Sequence, residues 1–407
     1  MKLLHTADWH LGKRLDNFSR LEEQKAVLTE ICDIADHENV DAVLISGDLF
    51  DTFNPATEAV ELFYKTLKRL TKDGRRAVIA IAGNHDSPDR IEAPDPLARE
   101  CGIIFAGYPN TTVAPLALET GLTITKSAEG FIELNLPAVK EPLRLLLNPY
   151  ANEYRLKTYL GDENSEQKLR DLLSAKWAEL ASQYCDENGV NILIAHFFMV
   201  PEGSDVFDEP EGEKPILHVG GAQEIYTKNV PQQIQYVALG HLHQNQSVDD
   251  QTCPVVYSGS PLAFSFSEAD QDKFVVLIEA KPGKTVTHRT VKLQKSRRLL
   301  RQRFEVIAEA VQWLQAHPDT LVELTIATET YLTSQERKQL LDAHEGVVAI
   351  IPEIKNADLL DDSHSQNIDL TRNIEDLFID YFETRHGQKP NRRLLDLFKE
   401  VLAEEEE

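Results

Sequence analysis

Residues 3–10 read LLHTADWH, and this short segment predicts the architecture that the rest of the chain extends. Its first residues form a short apolar run of the kind that builds a buried β-strand. Asp8 and His10, two side chains able to bind a metal ion, follow directly. In extended chain, residues two apart point to the same side, so both can reach one ion, or each can reach one of two neighbouring ions.

The same order, an apolar run followed by ligand-capable side chains, recurs four more times along the chain. The further clusters are GDLFD (47–51), GNHD (83–86), His196 and GHLH (240–243). In α/β sheets, ligands bind outside the carboxyl ends of the strands, so one sheet edge can gather all five clusters. Each cluster alone is typical of an ordinary polar loop or turn. Their shared position after a strand is what predicts a metal site.

The clusters offer oxygen and imidazole ligands without thiolates, which suits manganese, iron, zinc or magnesium better than a soft metal. Asp48 is our candidate for a carboxylate that bridges two ions, as a two-metal hydrolase requires. Such a pair of ions activates water and offsets charge on a phosphate, so phosphoryl chemistry is expected. We also expect Gly47, Gly83 and Gly240 to let the backbone turn sharply where each strand gives way to the site.

The remaining pattern predicts an α/β fold with two sheets. Apolar runs too short for helices alternate with helical periodicity at residues 21–37 and 56–72. Residues 131–147 and 253–293 consist mostly of strand-like runs, which favours a second sheet packed on the first. We therefore expect a two-sheet sandwich flanked by helices (α/β/β/α), then a small α+β unit over residues 304–351, and finally C-terminal helices.

The character of the chain changes at residues 292–303, which are strongly basic in an acidic protein. Three interpretations are open, a hinge, a DNA-facing edge or a solvated linker, and we favour the linker. Two short amphipathic segments follow at residues 370–385 and 392–402. Helices this short need a surface to dock on, either in this chain or, as we favour, in a second protein.

The composition of the 407-residue chain, 42% hydrophobic and 27% charged, is that of an ordinary globular protein. The net charge of −25 counts against a basic nucleic-acid-binding surface, so in any role on DNA a partner would have to supply most of the affinity. The 4 scattered cysteines, without a Cys-x-x-Cys pair, argue against disulfides and a thiolate zinc site. Neither a signal peptide nor an apolar run of about 20 residues is visible, so we expect a cytoplasmic protein without a membrane span.

The motif order D-x-H, G-D-x-x-D, G-N-H-D, H and G-H-x-H, over the first two-thirds of the chain, resembles that of the calcineurin-like metallophosphoesterases. Among these phosphoesterases, the sequence is similar to the nuclease subunits of bacterial SbcCD complexes. The similar segments are HTADWHLG (5–12), GDLFD (47–51), ALGHLH (238–243) and YSGSPL (257–262). The resemblance implies a manganese-dependent nuclease in DNA end processing, repair and recombination. It would act as an exonuclease on double-stranded ends and as an endonuclease on hairpins or blocked ends.

The resemblance also implies roles for individual residues. One ion would be held by Asp8, His10, Asp48 and His243, and the other by Asp48, Asn84, His196 and His241. His85 would act beside the scissile phosphate as general acid or transition-state stabiliser, and Asp86 would orient its ring. Imidazole suits this role because it exchanges protons near neutral pH. Magnesium, iron and zinc stay open as alternatives to manganese.

Four regions are implied in the same way: a nuclease domain (1–285), a capping domain (286–355), a linker (356–370) and a helix pair (371–407). The helix pair would bind the coiled-coil base of an SbcC-type ATPase. A homodimer within a heterotetramer is implied too, acting on double-stranded DNA ends and hairpins. The residues expected to contact the ATPase are Leu377, Phe378, Tyr381, Leu394, Leu395, Leu397 and Phe398.

Two rival functions stay open at this point. A phosphatase or a small-molecule phosphodiesterase would use the same ligands, although Thr52 and Phe53 stand where phosphoprotein phosphatases have Arg-Gly. The other rival is a non-catalytic scaffold that recruits an ATPase, and the complete ligand set argues against it.

Overall fold

Buried strands alternate with amphipathic helices along most of the chain. The structure, a computed structural model, describes residues 1–159, 164–203, 224–269, 271–328, 332–354, 377–379, 382 and 395. Its strands are, in chain order, β1 (Lys2–Thr6), β2 (Arg14–Leu15), β3 (Phe18–Ser19), β4 (Ala42–Ser46), β5 (Ala77–Ile81), β6 (Ile103–Ala106), β7 (Thr123–Ala128), β8 (Phe131–Asn135), β9 (Leu143–Asn148), β10 (Val190–His196), β11 (Met199–Val200), β12 (Ile225–Tyr226), β13 (Tyr236–Gly240), β14 (Gln246–Asp249), β15 (Val255–Tyr257), β16 (Phe274–Glu279), β17 (Thr287–Lys292), β18 (Arg298–Phe304), β19 (Thr320–Thr328) and β20 (Val347–Ile354). Its α-helices are α1 (Leu21–His37), α2 (Thr57–Leu70), α3 (Pro88–Glu92), α4 (Asp95–Arg99), α5 (Glu153–Leu156), α6 (Ser165–Tyr184), α7 (Ile307–Ala316) and α8 (Ser334–Ala343). Short 3-10 turns lie at Thr227–Asn229 and Phe266–Glu268.

The first sheet has the strand order β17-β16-β1-β4-β5-β6. Its strands β1, β4, β5 and β6 run parallel, with Leu3 beside Ala42 and Val43 beside Val78. Strand β16 adds to the free edge of β1 in the antiparallel direction. Strands β4 and β5 are buried at every position, because both faces of a parallel sheet are covered by other layers.

The second sheet has the strand order β14-β15-β13-β10-β9-β8-β7, with β9, β10, β13 and β15 parallel at its centre. The two sheets share one apolar core, to which Leu44 contributes from the first sheet and Ile192 and Ala238 from the second. Neighbouring residues point the other way: Val43 packs with the helix residue Ile31, and Leu193 packs with Trp177. The α/β/β/α sandwich predicted from the sequence is therefore confirmed.

A separate three-stranded sheet, β18-β19-β20, follows the sandwich and carries α7 and α8. The basic stretch thus runs into strand β18, so the linker that we favoured was wrong for residues 298–303. Arg297 pairs with Glu23, and Arg301 with Glu323, so part of its positive charge is neutralised by carboxylates. Strand β17 still belongs to the first sheet, just after the predicted boundary at residue 285, and the division into four domains stays a prediction.

The chain separates into two compact units, residues 1–326 with 333–351, and residues 327–332 with 352–407. In the second unit, Leu377, Phe378 and Leu395 are helical and half-buried, and the Phe378 and Phe382 ring centroids lie 6.0 Å apart. The other predicted ATPase contacts, Tyr381, Leu394, Leu397 and Phe398, lie outside the described residues. In the part of the chain that is described, none of the helices combines the length and the apolar character that a bilayer crossing requires.

Candidate metal centre

The predicted ligands lie where strands of both sheets end. Asp8 and His10 follow β1, Asp48 follows β4, and the backbone amides of Asp8 and His10 donate to the carbonyl oxygens of Gly47 and Asp48 at 3.0 Å each. Asp8, His10 and Asp48 have φ values of 54°, 41° and 48°, in the left-handed region that such residues seldom adopt. Strained backbone of this kind persists where surrounding contacts hold it, and it is concentrated at functional sites.

Asp48 lies between two groups of ligands. Its Oδ2 is 3.5 Å from Nε2 of His10 and 3.5 Å from Nε2 of His196. On the His10 side, Nε2 of His10 lies 3.1 Å from Nε2 of His243. Nitrogen atoms this close need a proton or a cation between them, because two lone pairs repel each other. Asp48 is therefore placed as a bridging carboxylate would be.

On the other side of Asp48, a side-chain amide joins two histidines. The Asn84 oxygen Oδ1 lies 2.8 Å from Nε2 of His196 and 3.1 Å from Nδ1 of His241. The backbone carbonyl of Ser46 contacts the remaining nitrogen of His196, Nδ1, at 2.8 Å. Because a carbonyl oxygen only accepts, Nδ1 carries the proton, and Nε2 is directed with its lone pair or a second proton towards Asn84.

The buried carboxylates and histidines of this centre strongly perturb one another's pKa values. Burial raises the pKa of Asp8 to about 7, despite nearby His196 and His243. Burial would also raise the pKa of Asp48, but His196, His85 and His10 together hold it well below its usual range. Burial works against the charge on His196, yet Asp48 and Asp8 raise its pKa to about 9.

A buried oxygen of Asp8 also fits a bound cation. This atom, Oδ2, has no hydrogen-bond partner among the described residues, and such an atom is costly unless a cation or water meets it. Asp8, His10 and Asp48 have ligand atoms within 4.8 Å of one another, as do His10, Asp51 and His85. Oxygen and imidazole donors in this arrangement suit hard or borderline divalent ions.

The predicted catalytic residues lie beside the ligands. The backbone amide of His85 donates to Asp48 Oδ1 at 2.9 Å, and the His85 and His10 ring centroids are 4.8 Å apart. Nδ1 of His85 contacts the carbonyl oxygen of Asp51 at 3.0 Å. Asp86, which we expected to orient this ring, instead accepts backbone hydrogen bonds from Gly83, Leu49 and Phe50. Asp86 thus joins the loops after β4 and β5, and the observed ring contact comes from Asp51.

The glycines of the motifs serve two different purposes. Gly47 has a φ of +93°, so it allows the turn that we expected. Gly83 and Gly240 do not have positive φ; a Cβ would lie 2.1 Å from Asp48 Oδ1 at Gly83 and 1.9 Å from the Ser46 carbonyl oxygen at Gly240. These two positions need glycine because another chain segment approaches closely, and of the three glycines only Gly47 has a positive φ.

Sequence reasoning missed two positions that support the predicted ligands. Arg155 is 3% exposed and donates to the carbonyl oxygens of Gly83 (2.7 Å), Asn84 (3.3 Å) and Asp86 (2.8 Å). Glu268 lies behind His243, with Oε1 3.2 Å from its Nδ1. Neither residue belongs to a motif, and a lone arginine or glutamate in a sequence carries no signal of burial. The YSGSPL segment (257–262) gave a sequence signal close to Glu268, because the Ser260 hydroxyl lies 3.5 Å from the Glu268 carboxylate.

Comparison with known proteins defines the class. A family model described as calcineurin-like phosphoesterase matches residues 1–245. The SbcD subunit of the SbcCD nuclease from Bacillus subtilis is 35% identical over 100% of this chain and 99% of its own length. The corresponding SbcCD nuclease subunit of Rhodobacter capsulatus is 32% identical over 71% of this chain and 68% of its own length. Among solved structures, a dimetal phosphatase from Danio rerio is 11% identical, with a TM-score of 0.41 over 72% of this chain and 96% of that chain.

The chain therefore belongs to the calcineurin-like phosphoesterase family and, within it, to the SbcD nuclease subunits. The predicted enzyme class, a hydrolase of phosphodiesters, is confirmed by this membership. The resemblance stated from the motifs alone is confirmed as well.

Proposed function

We propose that this protein is a metal-dependent DNA nuclease that cleaves phosphodiesters with two divalent cations. It would act as an exonuclease on double-stranded ends and as an endonuclease on hairpins or blocked ends. The observation that carries the proposal is the position of Asp48, with one oxygen 3.5 Å from both His10 and His196. A carboxylate shared by two ligand groups is what a two-metal phosphodiesterase needs.

The contacts support a division of the ligands between two ions. Asp8, His10, Asp48 and His243 would hold one, and Asp48, Asn84, His196 and His241 the other. The 3.1 Å contact of His10 with His243 belongs to the first group, and the 2.8 Å contact of Asn84 with His196 to the second. When bound, such ions supply an activated water and neutralise charge on the phosphate. Manganese is our choice, with magnesium, iron and zinc as alternatives.

His85 would act on the reacting phosphate as general acid or transition-state stabiliser. Its Nδ1 faces the carbonyl oxygen of Asp51, which only accepts, so this nitrogen keeps its proton. Nε2 is then the atom through which the ring exchanges a proton or a hydrogen bond with substrate. Asp86 would contribute indirectly, by fixing the loop that carries His85.

The partner that we propose is an SbcC-type ATPase, bound by the C-terminal helix pair, in a heterotetramer that contains a homodimer of this chain. The relatives are named as subunits of a nuclease complex, and alignment with the Bacillus subtilis protein spans the whole chain. The net charge of −25 supports an arrangement in which the ATPase makes much of the DNA contact. A cytoplasmic location, in which such a complex meets DNA, is part of the proposal.

One assay separates the proposed activity from its nearest rival. The purified chain, with its ATPase partner and manganese, is incubated with a hairpin DNA and, separately, with a generic phosphomonoester. We expect cleavage of the hairpin and little release of phosphate from the monoester. Turnover of the monoester alone would make the protein a phosphatase. Fewer than one bound ion per chain after reconstitution would favour the scaffold.

The assigned partner is tested by co-purification. Full-length chain and a version ending after residue 354 are each expressed with a candidate SbcC-type ATPase. We expect the ATPase to be recovered with the full-length chain only. Equal recovery with both versions would remove the role proposed for the helix pair.

A further inference from the structure

A buried pair of opposite charges lies directly behind the ligand His243. Glu268 is 6% exposed and Lys273 is 5% exposed, and the ammonium group of Lys273 contacts the Glu268 carboxylate. Burying two charges is costly unless further hydrogen bonds satisfy them, and an apolar pair of similar size often packs equally well. The pair therefore calls for an explanation beyond stability.

Both members of the pair hold the same metal ligand. Glu268 Oε1 lies 3.2 Å from Nδ1 of His243, and Lys273 Nζ donates to the backbone carbonyl oxygen of His243 at 3.0 Å. Lys273 also donates to the Ser260 hydroxyl at 3.0 Å, and the backbone amide of Phe264 donates to Glu268 Oε1 at 3.0 Å. The ring and the backbone of His243 are thus held from one side by a hydrogen-bonded cluster.

This contact fixes which nitrogen of His243 faces the metal centre. A carboxylate beside an ammonium group accepts hydrogen bonds, so Nδ1 of His243 donates to Glu268. Nε2, which lies 3.1 Å from Nε2 of His10, is left to present its lone pair to a cation. Carboxylates that orient a metal-binding histidine in this way fix both its tautomer and its ring orientation.

A neighbouring aromatic ring restricts rotation of the His243 side chain. The Phe264 ring centroid lies 5.7 Å from that of His243 and 5.2 Å from that of His10. Phe264 and Glu268 belong to one short segment, which ends in the 3-10 turn Phe266–Glu268. Rotation of the His243 ring would therefore require both the loss of a hydrogen bond and the movement of a packed ring.

We propose that Glu268 and Lys273 are positioning residues that hold His243 ready to bind a metal ion. The proposal rests on the proposed function, because His243 is one of the ligands assigned there. It goes beyond that function by giving a metal-binding role to two residues that make no ligand contact themselves. If it is correct, removing the pair weakens metal binding without unfolding the protein.

The test is a double variant, Glu268→Gln with Lys273→Met, which removes both charges and leaves neither partner buried alone. Manganese binding to full-length protein is measured by isothermal titration, after removal of metal with a chelator. We expect the dissociation constant to rise roughly tenfold to a hundredfold, as for other residues that orient metal ligands. The melting temperature of the metal-free protein is measured beside it.

A matched control is the buried pair of Glu133 and Arg144, whose carboxylate and guanidinium lie 2.7 Å apart in the second sheet. Glu133→Gln with Arg144→Met should leave the manganese dissociation constant unchanged, whatever it does to the melting temperature. If the double variant does not fold, the single variant Glu268→Gln is measured instead. Its dissociation constant should rise less, because Lys273 still donates to the His243 carbonyl oxygen and to the Ser260 hydroxyl.

The outcomes separate the two proposals. Wild-type affinity for manganese in a folded Glu268 variant, together with DNA cleavage by the wild type, would overturn the positioning role and leave the proposed function standing. A wild-type protein that binds none of manganese, magnesium, iron and zinc would overturn both. A melting temperature that falls while the dissociation constant stays constant would make the pair purely structural.

Discussion

The side-chain oxygen of Asn84 lies 2.8 Å from Nε2 of His196, although these residues follow strands of different sheets. Asn84 comes after β5 in the first sheet, and His196 ends β10 in the second. The candidate metal centre is therefore built across the junction of the two sheets. Correct packing of the sandwich is a condition for bringing the ligands together.

The Asn84 contact gives the first prediction. Asn84→Ala removes an oxygen shared by His196 and His241, so manganese affinity should fall at least about tenfold. Isothermal titration of manganese into the chelator-treated protein measures this affinity. Asn191→Ala is the matched control, since Asn191 is a buried asparagine at the opposite end of β10. Equal losses of affinity in both variants would point to a general packing effect.

Substitution of His85 should separate catalysis from metal binding. His85→Ala is expected to lower the rate of DNA cleavage about 10²–10⁴-fold, the usual contribution of a general acid or base. The manganese dissociation constant should stay within about twofold of the wild-type value, because the assigned ligands are intact. Single-turnover cleavage and titration measure the two quantities. A large loss of manganese affinity would instead make His85 a ligand, as its closeness to His10 and Asp51 allows.

Arg155 should control the loop that carries Asn84 and His85. Arg155→Met leaves buried carbonyl oxygens without donors, at about 1–3 kcal/mol for each unsatisfied group, and lets the loop move. We expect lower stability in urea unfolding and a slower cleavage rate. Arg155→Lys should recover little of the lost stability or cleavage rate, because an ammonium group cannot span several acceptors as a guanidinium does.

The chain supplies a close control for this experiment. Arg76, 2% exposed, donates to three backbone carbonyl oxygens, those of Val40, Leu70 and Ala35, just before β5 begins. Arg76→Met should lower stability comparably while the folded enzyme keeps its cleavage rate. If the cleavage rate falls equally in Arg155→Met and Arg76→Met, the loss of activity results from lower stability and not from movement of the loop that carries Asn84 and His85.

His5 should make the stability of the metal-free protein depend on pH. Burial lowers the pKa of His5 to about 3, so it stays neutral in the folded protein, with Nε2 donating to the Leu239 carbonyl oxygen. The unfolded chain takes up a proton at His5 below pH ~6.5, the folded chain does not, and stability is lost as the pH falls from there towards 3.

The size of this effect follows from the two pKa values. Between pH ~7.5 and ~5.0, the free energy of unfolding of the wild type should fall by about 2 kcal/mol more than that of His5→Gln. Glutamine keeps a donor and an acceptor but cannot titrate. Urea unfolding in chelator at both pH values measures the difference. An equal loss in both proteins would mean that other groups set the acid sensitivity.

The ligand clusters and the layers around them could be predicted before any tertiary contact was known. Each cluster follows an apolar run, as Asp48 follows β4, and this order is readable because strand periodicity and burial are local properties. The direction of parallel strands then places each cluster at the carboxyl edge of its own sheet. The expectation that a single sheet edge gathers all five was wrong, because His196 ends β10 and His241 follows β13, both in the second sheet. The two-sheet sandwich was predicted on the same basis, whereas the family was predicted from the resemblance of the motif order.

The residues that support those ligands became apparent only in the folded chain. Arg155 and Gly83 are 72 positions apart, and His243 and Glu268 are 25 apart. The need for glycine at Gly83 likewise comes from the approach of Asp48, not from a local turn. Such contacts depend on the packing of distant segments, which no spacing along the chain encodes. Once buried, an ordinary polar side chain makes stronger hydrogen bonds than it would in water, and it can therefore fix the orientation of a predicted ligand.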